Sequence, residues 1–325
     1  MTEEVRSLIF TQEVEKALSA FAQPVIFSDD DLASGEFTKA LQGITAVITG
    51  WRCPTFPQLL APQGDIEFVS HAAGSVKFLE VEKALVGGHI RVSHSAPEIA
   101  LAVAEFTLTQ ILAHLRLHRQ QDDGLHGTMD WAEMRKAYLG HLLAAQNVGL
   151  VGLGYVGRLV LERLRPFGCT VSVYDPFISA QEAERLGVTL LELDELFANC
   201  SVVSLHAANL PATEGMIKRE HLSAMADGGL LVNTARAGLL EPGALVEELQ
   251  RGRIFAAIDT FDVEPLPASD PLRQMSNVYL SPHCAGHTRE SYVRQGLAAI
   301  EDVRRFFAGE PLKQEIRREK AAALA

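Results

Sequence analysis

Short apolar runs alternate with stretches of helical spacing through the first 95 residues. Helical patches such as Thr11–Phe21 and Val81–Val86 lie between the runs. This alternation predicts βα units built around a parallel sheet. The runs predicted as strands are Pro24–Phe27, Thr45–Thr49, Ile66–Ser70 and Ile90–Ser93.

A second and longer series of strand-like runs begins at residue 147. Most of these runs are nearly continuous in apolar residues, as expected of strands that are covered on both faces. Seven such strands would make a complete doubly wound domain. They are Asn147–Gly152, Cys169–Tyr174, Val188–Leu190, Ser201–Leu205, Leu230–Asn233, Ile254–Ile258 and Val278–Ser281. A helix is expected over Arg289–Phe307, followed by a surface tail over 310–325.

Residues 97–120 separate the two series and read as one long, mostly apolar helix that starts at Pro97. Such a helix is expected to be buried on most faces and to link two domains. Residues 121–140 are polar around Trp131 and are interpreted as a surface excursion that contributes to an oligomer. No apolar run reaches about 18 residues, so no membrane span is predicted.

Composition narrows the function classes. A chain of 325 residues suggests two domains, at roughly 150 residues per domain. The net charge of −12 and the isoelectric point near 5.4 argue against nucleic acid or an anionic membrane as a partner. The four cysteines lack the spacing of metal ligands, and the acidic N-terminus does not resemble a signal peptide. We therefore expect no metal site and a cytoplasmic location.

The most informative motif is Gly152-x-Gly154-x-x-Gly157, directly after an apolar run. In a strand–turn–helix the first glycine permits the tight turn and the second lets the backbone approach a pyrophosphate. The third lets helix and strand pack closely. Tyr155 and Val156 stand at the start of the helix, whose N-terminus favours phosphate. The motif predicts dinucleotide binding, and a Rossmann-like domain for another ligand such as S-adenosylmethionine is the alternative.

An acidic residue follows at the expected place. The strand Cys169–Tyr174 ends at Asp175, which lies 18 residues past Gly157. A carboxylate about 20 residues beyond the glycines binds the ribose hydroxyls and disfavours a 2′-phosphate. The predicted cofactor is therefore NAD rather than NADP.

Polar residues follow the later strands, where function gathers in open α/β sheets. Taken singly, each has an ordinary structural reading, such as a surface ion pair, a cap or a turn. In this order, and beside the glycine motif, they predict a catalytic site. The residues are His206, Arg236, Asp259, Glu264 and His283.

These motifs closely resemble those of the NAD-dependent D-2-hydroxyacid dehydrogenases. The matching stretches include Val-Gly-Leu-Gly-Tyr-Val-Gly157, Asn-Thr-Ala-Arg236, Ile-Asp-Thr-Phe-Asp-Val-Glu264-Pro and Ser-Pro-His283-Cys-Ala-Gly. The resemblance implies a Rossmann-type NAD-binding domain at 99–287. A flavodoxin-like α/β substrate domain is implied at 1–98 with 288–325, with the active site in the cleft. It also implies a homodimer formed through the cofactor domain.

The resemblance assigns roles to the strand-end residues. Arg236 would bind the substrate carboxylate and polarise the carbonyl, because a guanidinium matches two oxygens. His283 would protonate the carbonyl oxygen, with Glu264 as its partner. Asp259 would accept a hydrogen bond from the nicotinamide carboxamide. His206, Thr234, Ala235 and Gly286 would line the cofactor site; for His206, an end-of-strand role is equally plausible.

The first domain is expected to supply part of the substrate site. By resemblance, backbone N–H groups of a glycine-rich loop, Ala73, Gly74, Ser75 and Val76, would meet the substrate carboxylate. Lys77 would add a cation for an acidic substrate or stand as a solvated surface lysine. Trp51 would wall the pocket or pack in the core.

Several departures leave the substrate open. His94-Ser-Ala-Pro97 and Ala208-Asn-Leu210 replace usual family stretches, and Ala237 stands where a glycine normally follows the arginine. Two alternatives to a metabolic dehydrogenase are an NADH-sensing binding protein of the corepressor type and a phosphite-type dehydrogenase. Glu264 disfavours a formate enzyme, which carries glutamine there.

Overall fold

The computed structural model describes residues 1–34, 41–55 and 64–319. The chain forms two compact units. One comprises Met1–Ala102 with His287–Ala325, and the other comprises Val103–Gly286.

The larger unit contains a seven-stranded sheet in the order β10-β9-β8-β7-β4-β5-β6. All of its paired strands are parallel. Strand order reverses at β4, between β7 and β5, which is the topological switch point of a doubly wound sheet. The seven predicted strands are present. They are β4 (Asn147–Val151), β5 (Thr170–Tyr174), β6 (Thr189–Leu190), β7 (Val202–Leu205), β8 (Leu230–Asn233), β9 (Phe255–Ile258) and β10 (Val278–Leu280).

Both faces of this sheet are covered by apolar side chains. Side chains alternate between faces along a strand, so Leu230 and Val232 join one buried cluster while Leu231 joins the other. The helices of the unit alternate with the strands in the chain. They are α6 (His118–His126), α7 (Trp131–Ala137), α8 (Tyr155–Leu164), α9 (Ala180–Leu186), α10 (Leu193–Asn199), α11 (Arg219–Ala224) and α12 (Ala244–Gln250).

The long apolar helix, α5 (Ala96–Leu115), is shorter than predicted. Leu117 adopts a left-handed conformation with φ 51°, so the chain turns before α6 instead of continuing to residue 120. By length and composition alone, α5 could cross a membrane. Its residues Ala104, Ile111 and Leu115 are buried in one of the two clusters against the large sheet, as in a core helix.

The smaller unit has a parallel three-stranded sheet in the order β1-β2-β3. Its C-terminal segment packs on the sheet edge, where Glu315 forms an isolated antiparallel β-bridge with Ser93. The side chain of Glu315 also forms a salt bridge with Arg91. The strands are β1 (Ala46–Thr49), β2 (Phe68–His71) and β3 (Arg91–His94). The helices are α1 (Glu3–Ile9), α2 (Gln12–Ser19), α3 (Asp29–Ser34), α4 (Glu82–Gly87) and α13 (Arg289–Phe307). Residues 320–325 of the predicted tail lie outside the described part of the chain.

The prediction of a strand over Pro24–Phe27 was wrong. Residues 22–28 are described without regular structure, and the side chains of Val25 and Ile26 are 61% and 53% exposed. Pro24 has no N–H to donate to a ladder. A four-residue apolar run did not distinguish a strand from an exposed connection. The fold class itself, α/β with parallel sheets, is confirmed.

Candidate active site

The glycine motif forms a sharp turn between β4 and α8. Gly152 has φ +93°, and a Cβ there would lie 2.7 Å from the Ala207 nitrogen, so only glycine fits without strain. A Cβ on Gly157 would collide with the Gly152 carbonyl oxygen. At Gly154 nothing lies within 4 Å of a built Cβ. Two glycines therefore bring strand and helix together, and the middle one faces open space.

The turn is ready for an anion. Helix α8 starts after Gly154, which provides no side-chain cap. Its first backbone N–H groups lack partners within the helix and carry the positive end of the helix dipole. A ligand with phosphate groups fits this end of the helix.

Asp175 lies against this turn. Its carboxylate accepts hydrogen bonds from the backbone N–H of Leu153 at 2.7 Å and of Phe177 at 2.9 Å. It is half-buried at the end of β5. The spacing argument thus placed an acid beside the glycines, and the structure shows that this acid also supports the turn.

Two buried polar atoms at the ends of β7 and β9 make no hydrogen bond to the described residues: His206 Nε2 and Thr260 Oγ1. Burial lowers the pKa of His206 to about 3, so the ring is neutral near pH 7. Buried polar groups normally have partners. His206 lies beside the glycine turn, and Thr260 follows another strand of the same sheet. Unpaired polar groups at these strand ends fit a polar ligand, and a dinucleotide has the required chemistry.

The loop after β8 carries Arg236. Asn233 is fully buried; its Nδ2 donates to the Arg236 carbonyl at 2.9 Å and its Oδ1 accepts from Ala235 N–H at 3.1 Å. Thr234 is buried and shares a hydrogen bond of 3.1 Å with Thr107. This part of the loop is therefore held by its own side chains.

Arg236 itself is open to solvent, although its neighbours desolvate it enough to lower its pKa. The negative charge of Glu264 opposes that shift. Because water still reaches the side chain, the guanidinium is charged at neutral pH.

The ends of β9 and β10 are joined by side chains. The strands pair with Ile258 opposite Leu280, so the next residues, Asp259 and Ser281, stand side by side. Ser281 Oγ donates to Asp259 Oδ1 at 2.6 Å. The same carboxylate accepts the N–H groups of Cys284 and Ala285 at 2.9 and 3.0 Å. Asp259 is 1% exposed, and three of its interactions go to the loop that contains His283.

Glu264 and His283 form the central pair. His283 Nδ1 lies 2.8 Å from Glu264 Oε2, while Glu264 Oε1 accepts the Phe261 N–H at 3.0 Å. Burial acts to raise the pKa of Glu264, but the hydrogen bonds from His283 and Phe261 and the charge of Arg236 together lower it. The ionised carboxylate only accepts, so Nδ1 carries the hydrogen and Nε2 is left for another partner.

The backbone of His283 is unusual. Its φ is +52°, in the left-handed region that side chains other than glycine seldom adopt. Such a conformation costs about 1–3 kcal/mol and persists only where neighbouring contacts hold it.

The glycine-rich loop of the smaller unit follows β2. Ala73 is fully buried. A built Cβ on Gly74 would meet only Ile99, at 3.6 Å. Ser75 Oγ accepts the Lys77 N–H at 3.3 Å, and the Lys77 side chain is exposed. Val76 is buried in the core of this unit.

Trp51 packs within the smaller unit. Its ring meets Tyr292 edge-on, with ring centroids 5.9 Å apart. It borders a buried cluster that includes Val5 and Ala72. This contact agrees with a packing role; its predicted contact with substrate stays a prediction.

His71, the last residue of β2, lies directly before the loop that contains Gly74, and its burial predicts how stability depends on pH. His71 is fully buried with Nδ1 2.8 Å from Thr49 Oγ1, and burial lowers its pKa to about 3. In the unfolded chain His71 takes up a proton near pH 6.5, whereas in the folded chain it does so only near pH 3. The free energy of unfolding is therefore undiminished by His71 above pH 6.5 and decreases as the pH falls from there towards 3. His71 should account for about 2 kcal/mol of stability lost between pH 7 and 5.

Urea unfolding at both pH values measures this loss. The loss should shrink by that amount in His71→Asn and stay unchanged in the control His126→Asn, whose side chain is 84% exposed. An equal loss in wild type and His71→Asn would contradict the assignment.

Two residues of the site had no assigned role in the sequence. Asn233 holds the Arg236 loop, and Ser281 binds Asp259. Both occurred inside recognised motifs, at or just after a strand end. The missing information was the pairing of β9 with β10, which makes Ser281 a neighbour of Asp259.

The doubly wound parallel sheet, the open glycine turn and the acid at the end of β5 define an α/β dinucleotide-binding protein. A profile of the D-isomer specific 2-hydroxyacid dehydrogenase family, NAD binding domain, matches residues 108–285, more than half of the chain. The chain belongs to this family, and NAD is the cofactor of the matched domain.

Similar proteins and solved structures agree with this family assignment. The D-3-phosphoglycerate dehydrogenase of Mycobacterium tuberculosis is 34% identical over 254 residues, covering 78% of this chain and 47% of the relative. The TT0316 protein of Thermus thermophilus superposes with a TM-score of 0.79 at 26% identity, covering 94% of this chain and 96% of that one. A D-2-hydroxyisocaproate dehydrogenase shares the fold, with a TM-score of 0.78, 21% identity and coverage of 94% and 97%. The chain spans about half the length of the phosphoglycerate dehydrogenases that it matches.

Proposed function

We propose that the protein interconverts a D-2-hydroxy acid and its 2-keto acid with NAD(H). The observation that carries the proposal is the His283–Glu264 pair, 2.8 Å apart, at the end of the sheet that holds the glycine turn. Arg236 is near enough for its charge to lower the pKa of Glu264. A proton donor, its carboxylate partner and a cation for an acidic substrate thus belong to one unit.

His283 manages the proton. Glu264 holds Nδ1, so Nε2 of the protonated ring donates to the carbonyl oxygen as that oxygen gains negative charge. In the reverse direction Nε2 accepts the hydroxyl proton. The ionised Glu264 stabilises the charged ring through this cycle and fixes its orientation.

Arg236 binds the substrate carboxylate. A guanidinium offers parallel N–H donors that match two carboxylate oxygens, and it stays charged at every working pH. This contact orients the keto group relative to His283. Orientation of this kind is a large source of rate, because it replaces a chance encounter by a bound geometry.

The turn at Gly152, Gly154 and Gly157 would hold the pyrophosphate and Asp175 the ribose. Tyr155 and Val156, with His206, Thr234, Ala235 and Gly286, would line the rest of the NAD site. When bound, NADH supplies the hydride that reduces the carbonyl carbon. The chain itself binds, orients and shields the reactants.

The proposed substrate domain is 1–98 with 288–325, which lies within the smaller unit, and the proposed NAD-binding domain is 99–287, which contains the larger unit. Support comes from the loop after β2, where Gly74 is unobstructed and Ser75 and Lys77 follow. The backbone of Ala73 to Ser75 would meet the substrate carboxylate. Trp51 and Lys77 complete the proposed substrate contacts.

Oxidation of NADH, followed by absorbance with a panel of 2-keto acids, tests the proposal. Glyoxylate, hydroxypyruvate, pyruvate, phenylpyruvate, 2-oxoglutarate and phosphohydroxypyruvate span the size and charge of this class. We expect turnover with at least one of them, weaker with NADPH because Asp175 repels a 2′-phosphate. Tight NADH binding without turnover would favour a sensor, and NAD reduction by phosphite would favour a phosphite-type enzyme.

We propose that the protein is a cytoplasmic homodimer without nucleic-acid or membrane partners. The segment after α5 supports an association surface, since its apolar side chains Trp131, Leu139 and Leu142 are 65%, 80% and 69% exposed. Light scattering coupled to size-exclusion chromatography should give twice the chain mass of 35.4 kDa. The monomer mass at micromolar concentration would contradict the dimer.

A further inference from the structure

We infer that Asp259 is a positioning residue, which holds His283 in its left-handed backbone conformation by tethering the residues on both sides of it. The inference rests on the proposed function of His283 as the proton donor.

The first support is where the hydrogen bonds of Asp259 go. Oδ1 accepts both the Ser281 hydroxyl and the Cys284 N–H, and Oδ2 accepts the Ala285 N–H. The donors stand two residues before His283 and one and two residues after it. The tether therefore brackets the histidine, and the carboxylate that forms it is 1% exposed.

The second support is the backbone of His283, with φ +52°. A histidine in this region needs an external restraint, because a left-handed conformation brings Cβ close to the carbonyl oxygen. The N–H groups that Asp259 binds belong to the residues immediately following. The tether and the unusual conformation thus occur in the same short loop.

The third support is that a separate contact fixes the ring. Glu264 binds His283 Nδ1 and is itself fixed by the Phe261 N–H. Asp259 and Glu264 follow the same strand, β9. Asp259 therefore sets the backbone of the β10 loop, while Glu264 sets the rotation of the imidazole.

A double-mutant cycle separates a tether from a cofactor contact. Asp259→Asn turns one oxygen into a donor that cannot accept an N–H, so kcat should fall about 100-fold, as for a displaced catalytic group. In the His283→Ala background the same change should lower kcat less than about threefold, because there is no histidine left to position. A further loss of about 100-fold in that background would overturn the inference in favour of an independent action on the cofactor.

Amide hydrogen exchange measures the tether without using activity. In Asp259→Asn the peptide containing residues 281–286 should exchange about 10–100-fold faster, because two N–H groups lose a charged acceptor. Asp262 is an exposed carboxylate that follows β9, as Asp259 does, so Asp262→Asn is the matched control. This substitution should leave exchange and kcat unchanged. Unchanged exchange in Asp259→Asn would overturn the inference.

A milder variant guards against misfolding. Ser281→Ala removes one hydrogen bond of the tether and should lower kcat about 3–10-fold, with the KM for NADH unchanged. Ser281→Thr restores the hydroxyl and should recover most of the rate. A full rate in Ser281→Ala with unchanged exchange would count against the tether.

The proposed function fails separately from the tether. It fails if wild type turns over no 2-keto acid, or if His283→Ala keeps the wild-type kcat. In either case the exchange comparison of Asp259→Asn with Asp262→Asn decides whether Asp259 holds the loop.

Discussion

Replacing His283 by alanine should lower kcat by about 10²–10⁴ while leaving NADH binding unchanged. The imidazole is the group that the structure places against Glu264, with Nδ1 at 2.8 Å and Nε2 available to a substrate oxygen. Without it the developing alkoxide must take its proton from water. The glycine turn, which would hold the cofactor, follows β4 in the middle of the sheet, whereas His283 follows the edge strand β10. The substitution therefore leaves the turn intact.

Steady-state kinetics with the best keto acid, together with NADH fluorescence titration, measure both quantities. His126→Ala is the matched control, because its side chain is 84% exposed and far along the chain from the site. Glu264→Gln should give a smaller loss, since the neutral amide still accepts the Nδ1 hydrogen but no longer stabilises a charged ring. A His283→Ala enzyme within about threefold of wild type would remove His283 from the mechanism.

Replacing Arg236 by alanine should lower kcat/KM by about 30- to 5,000-fold, the effect of about 2–5 kcal/mol for truncating one partner of a hydrogen-bonded charge pair. The side chain is charged, open to ligand, and carried by a loop that Asn233 holds in place. Arg236→Lys keeps the charge and loses the forked donors. Its defect should be intermediate and expressed mainly in KM if geometry matters as well as charge.

The control is Arg251→Ala, which breaks an ion pair with Glu248. Arg251 lies at the end of α12, where the chain leads into the start of β9, and the proposed site lies beyond the opposite ends of the strands. The substitution should leave kcat/KM unchanged. Adding guanidinium ions to Arg236→Ala offers a second check, because partial rescue would indicate a missing cation instead of a disturbed loop. Wild-type kcat/KM in Arg236→Ala would exclude the residue from carboxylate binding.

Local sequence was sufficient for the larger unit and for the glycine turn. Buried parallel strands are read from short continuous apolar runs, and all seven of those runs became strands. The sequence also identified the glycines of the turn, because the reasons for glycine there are local. Gly152 adopts a positive φ, and Gly157 lies too close to the Gly152 carbonyl oxygen to carry a Cβ. Pro24–Phe27 failed by the same rule, since a run of four apolar residues can also be an exposed connection.

What only the tertiary structure decided is the use of each polar residue at the strand ends. The sequence places Asp259 and Ser281 in separate motifs, and nothing local says that β9 pairs with β10. Pairing puts them side by side and turns Asp259 towards the His283 loop. Apolar periodicity is a property of neighbouring residues, so the sequence alone is sufficient to recognise it. A hydrogen bond between residues that are distant in the chain depends on strand pairing and register, which only the folded sheet sets.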